Sequence, residues 1–336
     1  MPDQSQHKNV SDLTAEKFYE KTGASGKMKF LLGYAVMAPS SHNTQPWKFR
    51  VAGDDAIEVY ADKSRQLVIA DADKRELYIS VGCALENLLI AAAHFEYETM
   101  VEYFPQDGDE NFVARALFKA APSARRTMRA GLFEFIPRRA TFHGTFENRS
   151  VPANILHIIG AYAGKTGVCL HLTADDEIRR RIDELIARSD AAQFADRAFR
   201  AELSFWIGQG AFGNGWLTSQ IGRLAVAYLD LGKMTARNDS RVLRSAPVIG
   251  LLKTKLNDRR SQVEAGQVFE RIYLAARRFG LGVRPMSQIC QIPEHKHELK
   301  NLIGSPHDHP QQPFLLGYAE TSVEHTPRRR VEEVLI

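Results

Sequence analysis

Cysteine is scarce in this sequence, and its three copies, Cys83, Cys169 and Cys290, stand far apart. An odd and widely spaced set forms neither a disulfide framework nor a CxxC metal pattern, so we expect a reducing cytoplasm. A strong charge of either sign is also lacking, because the formal net charge is only +4 over 336 residues. This balance argues against a nucleic-acid partner.

Long apolar runs are lacking as well, with the exception of residues 77–95, LYISVGCALENLLIAAAHF. This run contains Glu86, and a carboxylate at the centre of a membrane span costs about 2.5–3.5 kcal/mol. A helix that is apolar nearly all round is also typical of the middle of a large soluble core. We therefore predict a buried helix and no membrane partner.

The predicted buried helix has a second copy in the chain. Residues 81–98, VGCALENLLIAAAHFEYE, align without gaps on residues 265–282, AGQVFERIYLAARRFGLG, so that Gly82 matches Gly266 and Glu86 matches Glu270. Chance similarity between two apolar helices is the alternative to an internal duplication. We predict that the two copies pack together along a pseudo-twofold axis, because the glycines allow close approach. Ligand clefts would then lie between the halves.

This repeat predicts a pseudo-dimer within one chain. We predict that residues 1–124 form the first half and residues 125–336 the second, and that the halves form one globular unit. Further homodimerisation stays open.

A polar loop lies between a predicted helix, residues 28–37, and a predicted strand that begins with WKFRV. It reads PSSHNTQPW and places Ser40, Ser41, His42 and Asn43 side by side. Short polar side chains lose little rotamer entropy when they are ordered, so a loop held at both ends suits a rigid binding site. A simple helix-terminating turn is the alternative interpretation.

The loop resembles the PSxxNxQPW signature of FMN-dependent nitroreductases. Four further segments resemble the family in the same order, and together they cover nearly the whole chain. The length and the duplication are most similar to the Acg-type branch, in which two nitroreductase halves are fused. The four segments are RRATFHGTF from Arg138, SAPVIGLL from Ser245, FGLGVRPMS from Phe279, and the final GYAETSVEHTPRRR.

The resemblance implies a nitroreductase-like α+β fold, in which each half is a small mixed or antiparallel sheet with helices around it. It also implies an oxidoreductase that binds FMN. NAD(P)H is the implied reductant, and nitroaromatic or quinone-type small molecules are the implied acceptors of two electrons. The alternative is an FMN storage or sequestration protein with little turnover. No catalytic residue is assigned, because the flavin itself carries the hydride chemistry.

The resemblance also assigns cofactor contacts to both halves of the chain. Only the first half has the PSSHN loop and only the second has the arginine segments, so we expect one composite cleft and one FMN per chain. His42 either contacts the flavin or caps its loop, and His143 stands where the family has a second basic residue. The assigned contacts are Ser40, Ser41 and Asn43 for the flavin, Arg138, Arg139, Thr141, Arg328, Arg329 and Arg330 for the phosphate and ribityl chain, and Ser287 and Gln288 for the N5 side.

Two other patterns have weaker interpretations. Residues 208–213, GQGAFG, match GxGxxG, but a dinucleotide fingerprint must follow a strand, and the preceding FRAELSFWI has the pattern of an amphipathic helix. We prefer a glycine-rich loop over the cleft. His295, His297, His307 and His309 lie in a polar stretch without nearby cysteines, where solvated side chains are expected and no metal.

Overall fold

A computed structural model of the chain describes residues 15–21, 23–164, 166–212, 224, 226, 232–319 and 325–336. The first half has a short helix α1 (Ala15–Tyr19) and then one four-stranded sheet with its helices. Its elements are α2 (Ala24–Ala35), β1 (Trp47–Ala52), β2 (Ala56–Ala61), α3 (Arg75–His94), β3 (Tyr97–Tyr103) and β4 (Phe112–Ala120).

The second half repeats this order with additional helices. Helices of the insertion between β5 and β6 form a layer that shares a second apolar core with β6, β8 and the two helices that follow β7. The elements are α4 (Ala153–Ala161), β5 (Val168–Thr173), α5 (Asp176–Ala195), α6 (Arg197–Gly208), α7 (Gly232–Ser245), β6 (Val248–Thr254), α8 (Arg259–Arg278), β7 (Leu281–Pro285), α9 (Gln288–Gln291), α10 (Pro293–Leu302), β8 (His309–Tyr318) and α11 (Val331–Val334).

Both sheets have the same topology. The strand order is β1-β2-β4-β3 in the first and β5-β6-β8-β7 in the second, and every pair of neighbours is antiparallel. In each half a long helix connects the second strand to the third. The predicted α+β class is confirmed, and the two halves share one topology, as a duplicated chain would.

Helices α3 and α8 pack directly against each other at the centre of the molecule. A Cβ added to Gly82 would lie 2.1 Å from the carbonyl oxygen of Val263, and one added to Gly266 would lie 2.0 Å from that of Ile79. Val263 follows Ile79 by the same 184 positions that separate the two glycines. The contact therefore obeys the pseudo-twofold axis, and the predicted close approach is confirmed.

The sequence of α3 explains why it occupies this position. The Asp71 carboxylate accepts hydrogen bonds of 2.8 Å from the backbone N–H groups of both Glu76 and Leu77, which satisfies donors at the start of the helix. The helix is long and apolar enough to cross a membrane, but 94% of its most apolar window is buried inside the protein. The prediction of a buried core helix is confirmed.

One prediction about local structure is confirmed and one is wrong. The segment FRAELSFWI before GQGAFG lies in the helix α6, as preferred, so the dinucleotide-fingerprint alternative is wrong; Gly213 lies outside the described residues. His295 and His297 belong to the helix α10 instead of a loop, because Pro293 is tolerated in the first turn of a helix.

The end of the chain crosses back to the first half. The backbone N–H of Ile336 donates to the carbonyl oxygen of Phe49 at 2.9 Å, and Leu335 forms a parallel bridge with Phe49 in β1. Residues 325–330, which precede α11, are thereby held beside the PSSHN loop.

We predict that Gly82→Ala and Gly266→Ala each destabilise the fold by about 3 kcal/mol or more, because the new methyl group would meet backbone atoms of the facing helix. Gly160→Ala is the control, since a Cβ there has no neighbour within 4 Å and alanine favours a helix. Urea unfolding measures the difference. Unchanged midpoints for both central variants would show that the helices do not touch here.

Candidate functional site

The PSSHN loop has an unusual backbone for residues other than glycine. His42, Asn43 and Gln45 have positive φ angles of 48°, 51° and 51°. Each such residue costs about 1–3 kcal/mol and persists only where the surroundings enforce it. The Ser40 hydroxyl accepts from the backbone N–H of Gln45 at 2.9 Å, and this bond closes the loop on itself. Three strained residues in four positions point to a functional constraint.

Asn43 connects the loop to two distant segments of the second half. Its Nδ2 donates to the carbonyl oxygens of Ala211 at 2.8 Å and Pro327 at 3.0 Å. Its Oδ1 accepts from Nη1 of Arg328 at 3.0 Å. One amide therefore joins the first half, the segment after α6 and the arginine-rich end of the chain.

Arg329 attaches the end of the chain to the same loop. Its backbone N–H donates to Gln45 Oε1 at 2.8 Å, and its Nη1 donates to the Gln45 carbonyl oxygen at 3.1 Å and lies 3.5 Å from Asp62. Trp47, fully buried at the start of β1, anchors the other end of the loop. These contacts hold the loop and the arginine segment in one rigid arrangement.

Arg139 lies within the same region, buried beneath the end of α2. Its Nη2 donates to the Met37 carbonyl oxygen at 3.2 Å, and its guanidinium lies over the ring of Tyr273, 5.1 Å from the ring centre. Within the described part of the chain, its Nε and Nη1 groups have no hydrogen-bond partner, although Nε lies 3.8 Å from Glu270. A buried guanidinium with free donors can hold an anion.

The charges of this cluster do not balance. Burial and, to a smaller extent, the nearby positive charge of Arg139 lower the pKa of Arg328 to about 9, against the opposing effect of Glu270. Burial also raises the pKa of Glu270 to about 7, against the attraction of Arg139. Arg139 and Arg328 thus lie near a single carboxyl group, that of Glu270, whose raised pKa disfavours its negative charge. A phosphate or carboxylate ligand would supply the missing negative charge.

Glu86, the counterpart of Glu270 on α3, has the opposite environment. Its carboxylate accepts from Arg129 Nε at 2.8 Å and from Arg271 Nη1 at 2.9 Å. Burial alone would raise the pKa of Glu86, but the guanidiniums of Arg129 and Arg271 outweigh it and lower the pKa. The two sides of the pseudo-twofold axis therefore have equivalent backbones and different electrostatics.

Glu76 is a further buried carboxylate at the site, and the sequence analysis missed it. Its carboxylate accepts hydrogen bonds from the hydroxyl of Ser41, from Nη2 of Arg75 at 2.6 Å and from Nε2 of Gln291 at 2.8 Å. Its place nearly three turns before Glu86, at the start of a predicted buried helix, was the available signal. Glu270 was noticed only as evidence of the repeat, and its role in the site was also missed.

Two of the predicted cofactor contacts, Arg138 and Arg330, lie at the edge of the cluster. Arg138 is exposed, with its guanidinium 5.9 Å from the ring centre of Phe135, and Arg330 is exposed and pairs with Glu333 at 3.7 Å. Thr141 lies beside the Tyr273 hydroxyl. The structure does not bring Arg138 or Arg330 to Asn43.

Ser287 and Gln288 lie after β7, facing the helical layer. The Ser287 hydroxyl accepts from Gln312 Nε2 at 3.1 Å. Gln288 Nε2 donates to Asp239 Oδ2 at 3.0 Å and to Asp190 Oδ1 at 3.3 Å. Their connection to the loop runs through Gln291 and Glu76.

His42 stands at the rim of the loop, against aromatic side chains. Its ring centre lies 6.0 Å from that of Phe212 and 6.5 Å from that of Phe199. Burial lowers the pKa of His42 against the opposing charges of Glu76 and Glu202, which favours the neutral imidazole. The buried Nδ1 has no hydrogen-bond partner among the described residues.

The chain is thus an α+β protein in which segments of both halves meet at one site. The chain is 25% identical to "Putative NAD(P)H nitroreductase Rv3131" of Mycobacterium tuberculosis, over 92% of this chain and 90% of that protein. It is also 25% identical to "Putative NAD(P)H nitroreductase acg" of the same organism, over 91% of this chain and 94% of that protein. The resemblance to nitroreductases and to their Acg-like branch is confirmed.

No protein-family model matches the chain. Among solved structures, the FMN-dependent nitroreductase NfnB from Mycobacterium smegmatis in complex with NADPH aligns with 61% of this chain and 96% of its own, at 16% identity and a TM-score of 0.44. Iodotyrosine deiodinase bound to FMN and 3-iodo-L-tyrosine aligns with 59% of this chain and 95% of its own, at 16% identity and a TM-score of 0.40.

We predict that Glu270 and Glu86 have opposite effects on the pH dependence of stability. A carboxyl with a raised folded pKa contributes most at low pH, so the stability due to Glu270 falls between about pH 4.5 and pH 7. Relative to the wild type, Glu270→Gln should therefore gain about 2–3 kcal/mol as the pH rises through this window. Urea unfolding at several pH values measures the gain.

Glu86→Gln is the matched control. Because its pKa is lowered in the folded protein, the ionised Glu86 contributes stability at pH values above its pKa in the unfolded chain. This stability is lost as the pH falls through the pKa of the folded state. Glu86→Gln should therefore be destabilised at neutral pH and recover relative to the wild type in acid. Parallel pH profiles for the two variants would contradict the assigned electrostatics.

Proposed function

We propose that this protein is an FMN-binding oxidoreductase of the nitroreductase type, which uses NAD(P)H to reduce small nitroaromatic or quinone-type acceptors. The observation that carries the proposal is the meeting of Asn43 from the first half with Arg139 and Arg328 from the second around an uncompensated positive charge. The names of the curated relatives support the same reaction class. Three unpaired cysteines support a reducing, cytoplasmic location.

The donor groups of the cluster suit the anionic end of FMN. Arg139 has two N–H positions without a hydrogen bond in the described chain, and the charge of Arg328 is disfavoured by burial and by Arg139. A phosphate would accept hydrogen bonds from these N–H groups, and its negative charge would reduce the repulsion between the two guanidiniums. We assign the phosphate to Arg139 and Arg328, with Arg329 holding the loop in place.

The polar loop suits the edge of a flavin ring. Ser40, Ser41 and Asn43 carry short side chains that can donate or accept, and the strained backbone fixes their directions. When bound, FMN would supply the two-electron hydride chemistry. The contribution of the chain is to bind and orient the cofactor, and Glu76 and Trp47 support the loop that does so.

A storage or sequestration role is the second candidate, and the close packing of the loop favours it. The cavity lined by Ser41, Glu76 and Ser80 has a volume of about 10 Å³, the space of a single water molecule, so it is not itself the space that would hold a flavin. Asn43 is also bonded to Ala211, in the segment that follows α6. A ligand under this segment would be shielded from a second substrate.

We predict that titration gives one FMN per chain and that Arg139→Gln weakens binding by about tenfold or more, because a charge-assisted hydrogen bond contributes about 1.5–3 kcal/mol. Arg138→Gln is the matched control: it removes the same charge from an exposed neighbour and should change the affinity by no more than about twofold. Quenching of flavin fluorescence measures both affinities.

Flavin absorbance against protein mass gives the stoichiometry, and thermal melting shows whether both variants are folded. Two flavins per chain would refute the single composite cleft. An equal loss of affinity in the two variants would mean that the phosphate does not lie at the buried arginine.

We predict that the FMN-loaded protein is bleached by NADPH or NADH under anaerobic conditions and regains its colour when menadione is added. This cycle requires that a nicotinamide and an acceptor reach the flavin in turn. Stopped-flow absorbance follows both steps. A yellow protein that neither nicotinamide bleaches would establish the storage role in place of the enzyme.

A further inference from the structure

The second cleft between the halves holds an open cavity of about 580 Å³, within the range of small-molecule pockets. It is the pseudo-symmetric counterpart of the cavity beside Ser41. Arg260 and Glu264 line it from α8, each 184 positions after Glu76 and Ser80, which line the first cavity from α3. Ala161 and Tyr162 line it at the end of α4, and Gly164, Thr166 and Gly167 line it beyond.

The residues of this cavity have diverged from those of the first cleft. Arg260 stands where the first cleft has the carboxylate of Glu76, and Arg271 stands where it has Asn87. Residues 161–167 read AYAGKTG and lack the serine and asparagine of the PSSHN loop. This wall therefore has neither the flavin edge contacts nor the charge pattern of its counterpart.

Three arginines give the cavity its charge. Arg129 and Arg271 share the buried carboxylate of Glu86, while Arg260 pairs with Glu264 at 3.0 Å. Three guanidiniums against two carboxylates leave one positive charge among these five side chains. Nη1 of Arg129 and Nη2 of Arg271 make no hydrogen bond within the described ranges, so they are available as donors.

Aromatic side chains and one methionine line other parts of the cavity. The guanidinium of Arg260 lies over the ring of Tyr103, 5.1 Å from the ring centre, and the Tyr103 hydroxyl donates to Gln267 at 2.7 Å. Tyr162 and Met128 line the cavity too. A ligand with a flat apolar body would contact these side chains while its anionic group reached the arginines.

We propose that the second cleft binds a singly charged aromatic carboxylate. The carboxylate would accept hydrogen bonds from Arg129 and Arg271 at the inner wall, and the ring would lie between Tyr103 and Tyr162. This site is separate from the composite cleft and does not rest on the function proposed for it.

Isothermal calorimetry with naphthoate as the probe tests the site. We expect one saturable site per chain, and we expect naphthamide, which has the same ring and no charge, to bind at least about tenfold more weakly. Arg129→Gln should weaken naphthoate binding by about tenfold or more. Arg260→Gln should weaken it severalfold and leaves the buried pairs of Glu86 untouched, so it keeps the test valid if Arg129→Gln unfolds.

Two control variants locate the site. Arg139→Gln removes a guanidinium from the first cleft, and Arg180→Gln removes one from the exposed face of α5, where it pairs with Glu177 and Glu184. Both should bind naphthoate as the wild type does. The proposal is overturned if naphthoate does not saturate, if naphthamide binds equally well, if Arg260→Gln binds unchanged, or if Arg139→Gln abolishes binding.

Discussion

The contact between α3 and α8 determines the arrangement of the rest of the molecule. Two glycines at equivalent positions bring the backbones of the helices together, so the halves cannot shift without separating or clashing. The two clefts lie on opposite sides of this contact. The distance across each cleft is therefore set by the helix pair, and the residues on the cleft walls can differ without altering it.

The two central glutamates show how far equivalent positions have diverged. Glu86 is fully paired by two arginines, whereas Glu270 is buried with one distant guanidinium and has a raised pKa. A paired carboxylate stabilises its side of the axis, while an incompletely paired cluster retains the capacity to take up an anion. The two sides of one helix pair thus differ in how the charge of their central carboxyl group is compensated.

Much of the fold could be predicted from the sequence, because the signals are local or repeated. The apolar pattern of residues 77–95, the helix that ends before Pro39 and the alternation of WKFRV each specify an element directly. The gapless repeat specified the packing of the halves. The helix α10 was missed because charged and histidine residues mask its period, so the proline at its start was the only local signal.

The site was less accessible to sequence reasoning. Family motifs pointed to Asn43, Arg139 and Arg328, but adjacent arginines cannot be told apart by pattern, and the structure buries Arg139 while it exposes Arg138. Which of two neighbours faces inward depends on the turn between them. The roles of Glu76 and Glu270 depend on contacts more than 200 and 100 positions away, which no local pattern contains.

The return of the chain end to β1 has a consequence for biosynthesis. Arg328 and Arg329 lie within the last nine residues, and Ile336 is hydrogen-bonded to the first half of the protein. The loop of the first half is translated almost 300 residues earlier than these partners. The site therefore stays incomplete until these late residues have been translated and have folded back onto β1, so its assembly is a late step of folding.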